Sequence, residues 1–90
     1  MERRAGAPEI VVYTTEPCRR CLRAKAILES HRLVYTEVNL AKDPVGRREL
    51  VLRTGHMTFP QVVIDGEALG GFEELEHADS SGELEALAAI

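Results

Sequence analysis

The stretch Glu9–Cys21 reads EIVVYTTEPCRRC and decides the fold. Its first part, Glu9–Thr14, is a continuous run of apolar and β-branched residues with polar neighbours. Such a run predicts a fully buried strand of the kind found in parallel sheets. From Cys18 to His31 the apolar residues recur at helical spacing instead. We therefore expect a buried strand that passes directly into a helix, with both cysteines of the chain at the junction.

The residues after this unit predict a second strand and a second helix. Leu33–Val38 alternates apolar and polar residues, which is typical of a strand. Asp43 and Pro44 form a helix start, because aspartate is a preferred N-cap and proline suits the first helical position. Gly55 marks the expected end of that helix.

The next segment predicts a hairpin and a short helix. Gln61–Ile64 and Glu67–Leu69 are the two expected strands, and Asp65-Gly66 is the tight turn between them. Two glycines then break the pattern, and a short helix follows with Phe72 and Leu75 on its inner face.

Ser80 and Glu83 fit a capping box and predict the start of a last helix. The order of elements is then β-α-β-α-β-β-α-α, which predicts an α/β fold. We expect a four-stranded mixed sheet with helices on both faces, its first βαβ unit parallel and its last two strands an antiparallel hairpin. The 90 residues allow one domain, expected at residues 9–90 after a disordered lead-in at residues 1–8.

Composition excludes several classes of function. The formal net charge of -4 gives no indication of nucleic-acid binding. No apolar run approaches the roughly 18 residues of a membrane span, and the N-terminal residues MERRAGAPE lack the apolar stretch of a signal peptide. We therefore expect a cytoplasmic protein, where thiols stay mostly reduced and a stable structural disulfide is disfavoured. The short length suggests a monomer.

Cys18 and Cys21 have the features of a redox pair. Cys18 is expected at the mouth of a helix, where the first N–H groups and the helix dipole favour a thiolate. Arg19 and Arg20 add two positive charges, so we expect the pKa of Cys18 below its usual value of about 8.5, towards the range of about 3.5–7.5 seen for activated thiols. Cys21 faces inward and is close enough to bond to Cys18. An exposed nucleophile with a resolving partner is what thiol–disulfide exchange requires.

The cysteine pair has two other interpretations. A zinc site needs four protein ligands, whereas this chain adds only three scattered histidines at positions 31, 56 and 77, none at ligand spacing from another. No metal is therefore expected. Two unrelated buried cysteines on one helix are the second alternative. A Cys-x-x-Cys after a buried strand in a βαβ pattern is, however, typical of a cytosolic redox motif.

Three motifs in order extend the interpretation. They are the Cys18–Cys21 motif, Thr58-Phe59-Pro60 before a strand, and Gly70-Gly71 before an acidic helix. Together, over residues 10–87, they closely resemble a glutaredoxin. The resemblance implies the thioredoxin fold. It also implies a thiol–disulfide oxidoreductase with glutathione as co-substrate, active in electron transport and cell redox homeostasis.

The resemblance also assigns a binding site for glutathione. Thr58-Phe59-Pro60 is similar to the family's Thr-Val-Pro, whose proline is cis and faces the active site, so the Phe59 backbone would pair with the cysteinyl part of glutathione. Arg47 matches a position that meets the glycine carboxylate. The alternative for Arg47 is a charge on the solvated face of an amphipathic helix.

The glycine motif is similar to the family's Gly-Gly-x-Asp-Asp. It implies that the helix start at Gly71 and Phe72 takes the γ-glutamyl carboxylate on free N–H groups, while Glu73 takes the ammonium. The alternative is an acidic first turn that the helix dipole explains alone.

The chain departs from the family pattern at two places. Arg19-Arg20 stands where dithiol glutaredoxins commonly carry Pro-Tyr, and Thr15 stands where many have lysine. The lysine's charge near the thiolate and near glutathione is thus missing, and we expect Arg19 and Arg20 to restore it, with Arg20 also contributing to glutathione binding. A stabilised thiolate favours the reduced form and makes the protein more oxidising than its relatives.

The expected reaction is attack of the Cys18 thiolate on a glutathionylated protein, with a second glutathione releasing Cys18. For a protein disulfide, Cys21 resolves the mixed disulfide. Three alternatives stay open at this point. They are an electron donor recharged by a flavin reductase, a [2Fe–2S] carrier module between two protomers, and an exchange catalyst that uses another small thiol.

Overall fold

The computed structural model describes residues 6–89 and confirms the predicted order of elements. They are β1 (Ile10–Thr14), α1 (Arg19–Ser30), β2 (Thr36–Asn39), α2 (Pro44–Thr54), β3 (Gln61–Ile64), β4 (Glu67–Gly70), α3 (Phe72–Ser80) and α4 (Glu83–Ala88). Residues 1–5 of the predicted lead-in lie outside the described residues. None of the helices within residues 6–89 has the length and hydropathy needed to cross a membrane.

The strands form one mixed sheet in the order β2-β1-β3-β4, as the sequence predicts. The strand β1 runs parallel to β2, with Thr14 opposite Asn39, and antiparallel to β3, with Val12 opposite Val62. A two-residue turn in which Asp65 and Gly66 both have positive φ joins β3 to β4. Because β1 is a central strand, its carboxyl end delivers the chain to the start of α1 in the middle of the sheet edge.

One apolar core holds α1 against the sheet. The helix buries the side of Cys21, Ala24 and Leu28, and it packs on α3, whose Leu75 is fully buried. Burial of a leucine contributes about 1.5–3 kcal/mol to stability. The packing of α1 on α3 and the core therefore holds the helix, and with it Cys18, in one position relative to the sheet.

The expected start of the second strand is wrong. The strand β2 begins at Thr36 rather than Leu33, because its pairing with β1 starts at Val11 opposite Thr36. Leu33 is buried without being part of the strand, while Val34 is exposed.

The predicted capping box at the last helix is also wrong. Ser80 still belongs to the final turn of α3, where its hydroxyl donates to the His77 carbonyl oxygen at 3.2 Å. The N-cap of α4 is Gly82, whose φ of 87° lies in the left-handed region that favours glycine.

Candidate active site

The two cysteines lie at the start of α1 and are joined as a disulfide, with Cα atoms 5.2 Å apart. Cys18 is the N-cap residue, with extended backbone angles of -156° and 100°. Its Sγ accepts a hydrogen bond from the Cys21 backbone N–H at 3.0 Å. Cys21 is only 2% exposed, whereas Cys18 is half-buried. The structure thus confirms the expected difference in accessibility between the two sulfurs.

This geometry favours a thiolate when the disulfide is reduced. The first N–H groups of a helix have no acceptor within the helix, and one of them already points at Cys18 Sγ. A sulfur anion in that position also gains from the positive end of the helix dipole. Cys18 is therefore placed where a nucleophilic sulfur needs to be.

The two arginines have different neighbours. Arg19 lines a cleft on the side of α1 that faces β2. Arg20 instead lies over the ring of Phe72, with the guanidinium carbon 5.9 Å from the ring centre, and Arg23 lies 5.0 Å from the same ring. Phe72 is 8% exposed and begins α3. Arg20 thus joins the active-site turn to the segment expected to bind glutathione.

Neutralising both arginines is expected to raise the pKa of Cys18. In Arg19→Gln/Arg20→Gln protein the thiolate loses two nearby positive charges, and we expect a rise of about one unit. Thiolate absorbance followed against pH measures the change, and Arg48→Gln, which removes an exposed arginine on α2, is the control. An unchanged Cys18 pKa in the double variant would show that the arginines do not stabilise the thiolate.

Two of the segments predicted to bind glutathione, the cis-proline segment and the start of α3, lie together. The Phe59–Pro60 peptide bond is cis, as the resemblance implied, and Pro60 is buried, while Thr58 is exposed. A Cβ placed on Gly71 would lie 3.5 Å from the Pro60 carbonyl oxygen. The start of α3 therefore lies directly against the cis-proline segment.

Glutamates occupy the first turn of α3 in two ways. The Gly71 N–H donates to Oε1 of Glu74 at 2.7 Å, so the Glu74 side chain caps the N-terminus of its own helix. Glu73 is exposed and keeps its carboxylate at the helix start. Gly70 precedes them with a φ of 133°, and a Cβ there would lie 2.6 Å from Glu74 Cγ, so only glycine fits.

Arg47 links α2 to the active-site loop. Its Nη2 donates to Thr15 Oγ1 at 2.8 Å, and its Nε donates to the Leu40 carbonyl oxygen at the same distance. Its guanidinium carbon also lies 5.6 Å from the centre of the Phe59 ring. The Arg47 guanidinium is therefore held in a fixed position beside Thr15. Thr15 is the position where many glutaredoxins carry lysine.

The sequence did not predict a second feature beside the cysteines. A cleft of about 750 Å³ opens on the other side of α1 and is lined, among others, by Cys18, Arg19, Cys21, Leu22, Lys25 and Glu37. At its wall, buried Thr14 donates to Glu37, which accepts from Lys25. The only sign of it in the sequence is that Lys25 follows Cys21 by four residues, which is one helical turn.

Metal binding has no support from side-chain grouping within residues 6–89. No group of three or more His, Cys, Asp or Glu side chains there could hold a metal ion. His31 instead lies 2.6 Å from an Asp79 carboxylate oxygen. The expectation that no metal is needed stays a prediction.

Comparison with known proteins gives consistent matches. Residues 10–69 match the family model described as Glutaredoxin. The chain is 36% identical over 78 residues to glutaredoxin 3 of Escherichia coli K12, covering 87% of this chain and 94% of that one. It is 35% identical over 80 residues to glutaredoxin of Pseudomonas aeruginosa, covering 89% and 95%.

Solved structures agree in fold. The solution structure of glutaredoxin from Brucella melitensis superimposes with a TM-score of 0.77 at 32% identity, covering 89% of this chain and 87% of that one. The crystal structure of a buckwheat glutaredoxin–glutathione complex gives a TM-score of 0.80 at 25% identity, covering 89% and 76%.

Proposed function

The chain belongs to the glutaredoxin family and is a thiol–disulfide oxidoreductase with the thioredoxin fold, and we propose that glutathione is its co-substrate. One observation carries the proposal. The Cys18 sulfur lies at the N-cap of α1, and the cis-proline segment lies against the start of α3. Arg20 of the active-site turn lies over Phe72 at the start of α3, so the nucleophilic sulfur and a cradle for a small peptide thiol belong to one site.

The reaction follows from the two sulfurs. The Cys18 thiolate attacks the glutathione sulfur of a glutathionylated protein, so a new S–S bond forms as the old one breaks. The partner's sulfur leaves as a thiolate and takes a proton from water. A second glutathione, as its thiolate, then attacks the glutathione sulfur on Cys18, forms oxidised glutathione and returns Cys18 to the thiolate. In each cycle, one free glutathione is consumed, the protein thiol is released, and the oxidised glutathione formed contains the free molecule and the one removed from the substrate.

Charges at the site match the ends of glutathione. The Gly71 N–H is occupied by Glu74, so the start of α3 offers a carboxylate the backbone N–H groups that follow Gly71 and the positive end of the dipole. Glu73 offers a partner for an ammonium. Arg47 offers a fixed guanidinium to the second carboxylate. A buckwheat glutaredoxin of the same fold has been crystallised with glutathione, which supports the same ligand here.

The partners and setting follow as further parts of the proposal. The substrates are glutathionylated or disulfide-bonded proteins, Cys21 resolves the mixed disulfide formed with the latter, and the protein works as a monomer in the cytoplasm. A Cys-x-x-Cys pair directly after a buried strand is typical of cytosolic redox proteins, which supports the cytoplasmic setting.

A turnover assay on a glutathionylated peptide tests the proposal. Wild-type protein is supplied with glutathione and glutathione reductase, and NADPH consumption is followed. We expect turnover that depends on glutathione and saturates with the peptide. Turnover supported only by a flavin-dependent thioredoxin reductase would replace the proposal with a thioredoxin-like donor. A brown protein from anaerobic purification, without turnover, would replace it with a [2Fe–2S] carrier.

A further inference from the structure

The cleft on the side of α1 that faces β2 contains three polar side chains joined by hydrogen bonds. Thr14 is 1% exposed, and its Oγ1 donates to Oε2 of Glu37 at 2.8 Å. The Nζ of Lys25 donates to Oε1 of the same carboxylate at 3.0 Å. The side chains of Lys25 and Glu37 are only 24% and 32% exposed. Both carboxylate oxygens are thus occupied, and the ammonium is held in place rather than free in solvent.

Helix geometry places Lys25 one turn after Cys21, on the same side of α1. Residues four apart lie on the same helix face, with Cβ atoms about 5–6 Å apart. Long side chains in a helix lean towards its N-terminus and cover the preceding turn. For Lys25 that preceding turn carries Cys21, and both residues line the same cleft with Glu37.

Reduction of protein disulfides requires the Cys21 thiolate, and the N-terminus of α1 stabilises Cys18 instead. The Cys21 thiol must lose a proton before its sulfur can attack Cys18. Cys21 is 2% exposed, and burial disfavours the charged form of a thiol. Cys18, not Cys21, occupies the N-cap and accepts the helix N–H bond. A nearby fixed positive charge would offset the cost of forming the buried thiolate.

We propose that Lys25 is a positioning residue for the resolving step, and that its ammonium, anchored by Glu37, stabilises the thiolate of Cys21. The inference rests on the proposed role of Cys21 as the resolving cysteine. In that step the Cys21 thiolate attacks Cys18 Sγ, the Cys18–Cys21 bond forms, and the bond from Cys18 to the partner breaks. The partner's sulfur leaves with the electron pair and takes a proton from water, and the Cys21 proton has earlier gone to solvent through the cleft.

The other charges around Cys21 do not supply the same effect. Arg19, Glu16 and Lys42 line the cleft, but all three are exposed.

Three of the four carboxylates of α3, the helix packed against α1, are engaged elsewhere, and the fourth, that of Glu73, is exposed. Glu74 accepts from the Gly71 N–H. Glu76 pairs with Arg23 at 3.7 Å, and Asp79 pairs with His31 at 2.6 Å.

Glu37 itself is an anchor and not a base. Its hydrogen bond from Thr14, followed by that from Lys25, lowers its pKa below the usual value. It therefore stays ionised at neutral pH, where a carboxylate with a lowered pKa is a poor proton acceptor for a thiol.

The test is a titration of Cys21 alone. In Cys18→Ser protein, thiolate absorbance against pH gives the Cys21 midpoint, and Lys25→Met is added to that background. We expect the midpoint to rise by about one unit or more, because the ammonium is lost and Glu37 remains. Lys25→Arg, which keeps a positive charge, is the matched variant and is expected to restore most of the shift.

Two outcomes would overturn the proposal. One is an unchanged midpoint in the Lys25→Met protein, and the other is an equal shift in Lys25→Met and Lys25→Arg, which would indicate a packing effect. In Lys25→Met protein the unpaired Glu37 carboxylate could itself raise the Cys21 midpoint. The Lys25→Met/Glu37→Gln protein lacks both charges and therefore separates the loss of the ammonium from the effect of that carboxylate. A rise that persists there supports Lys25, whereas a rise that vanishes assigns the effect to Glu37 and contradicts the proposal.

A kinetic measurement completes the test in protein that keeps both cysteines. Reduction of a protein disulfide uses both cysteines, whereas removal of glutathione from a peptide uses Cys18 alone. We expect the Lys25→Met change to move the pH profile of disulfide reduction to higher pH and to lower its rate relative to deglutathionylation. The titration needs no glutathione, so it holds or fails independently of whether glutathione is the co-substrate.

Discussion

Cys18→Ser protein is expected to lose both deglutathionylation and disulfide reduction, by about a thousandfold or more in rate. The reason is the difference between the two nucleophiles. The sulfur at the N-cap receives the Cys21 N–H bond and the positive end of the α1 dipole, which favour a thiolate near neutral pH. A serine hydroxyl in the same place stays protonated and forms no disulfide. Turnover of a glutathionylated peptide and of an oxidised protein substrate measures the loss.

Cys21→Ser protein is the matched control for this prediction. It keeps the accessible sulfur and the hydrogen bond from the residue 21 N–H, so we expect deglutathionylation to continue. Disulfide reduction should fall, because the mixed disulfide then has no internal partner. Activity in Cys18→Ser protein, together with inactive Cys21→Ser protein, would mean that the roles of the two cysteines are reversed.

Leu28→Ala is expected to lower the free energy of unfolding by about 3–5 kcal/mol. Leu28 is fully buried on the face of α1 that packs against the core, and shortening it leaves a cavity there. A domain of this size has about 5–15 kcal/mol of stability in total, so the change removes a large share of it. Because α1 carries Cys18, activity at elevated temperature should fall in parallel. Urea unfolding followed by circular dichroism measures the change.

Leu22→Ala provides the comparison on the same helix. Leu22 is 63% exposed, so we expect its replacement by alanine to change the free energy of unfolding by less than about 0.5 kcal/mol. Similar losses for the two leucines would contradict the assignment of inner and outer faces of α1. So would a loss below about 1 kcal/mol for Leu28→Ala.

Local pattern was enough to predict most of the fold. The apolar run in β1 and the glycine turn at Asp65-Gly66 give strong signals, because they depend on residues adjacent in the chain. The start of β2 was misplaced because alternation cannot tell which residues pair with β1, and pairing begins only at Thr36. The start of α4 was misplaced because Ser80 satisfies its hydroxyl within α3 instead of capping the next helix.

The candidate site divides in the same way. Cys18 and Cys21 could be predicted together, because both lie within one helical turn. The chain of Thr14, Glu37 and Lys25 could not, since these residues lie 23 and 12 positions apart and meet only in the folded protein. The different directions of Arg19 and Arg20 likewise depend on where Phe72 of α3 lies. The direction of these side chains depends on contacts between residues far apart in the sequence, which a local pattern cannot predict.

Trapping the glutathionylated intermediate tests the central claim most directly. Reduced Cys21→Ser and Cys18→Ser proteins are each mixed with a glutathionylated peptide, quenched in acid, and measured by intact mass. We predict one added glutathione on Cys18 in the Cys21→Ser protein, removed when free glutathione is supplied, and none in the Cys18→Ser protein. An adduct on Cys21, or no adduct in either protein, would contradict the assignment of Cys18 as the sulfur that carries glutathione.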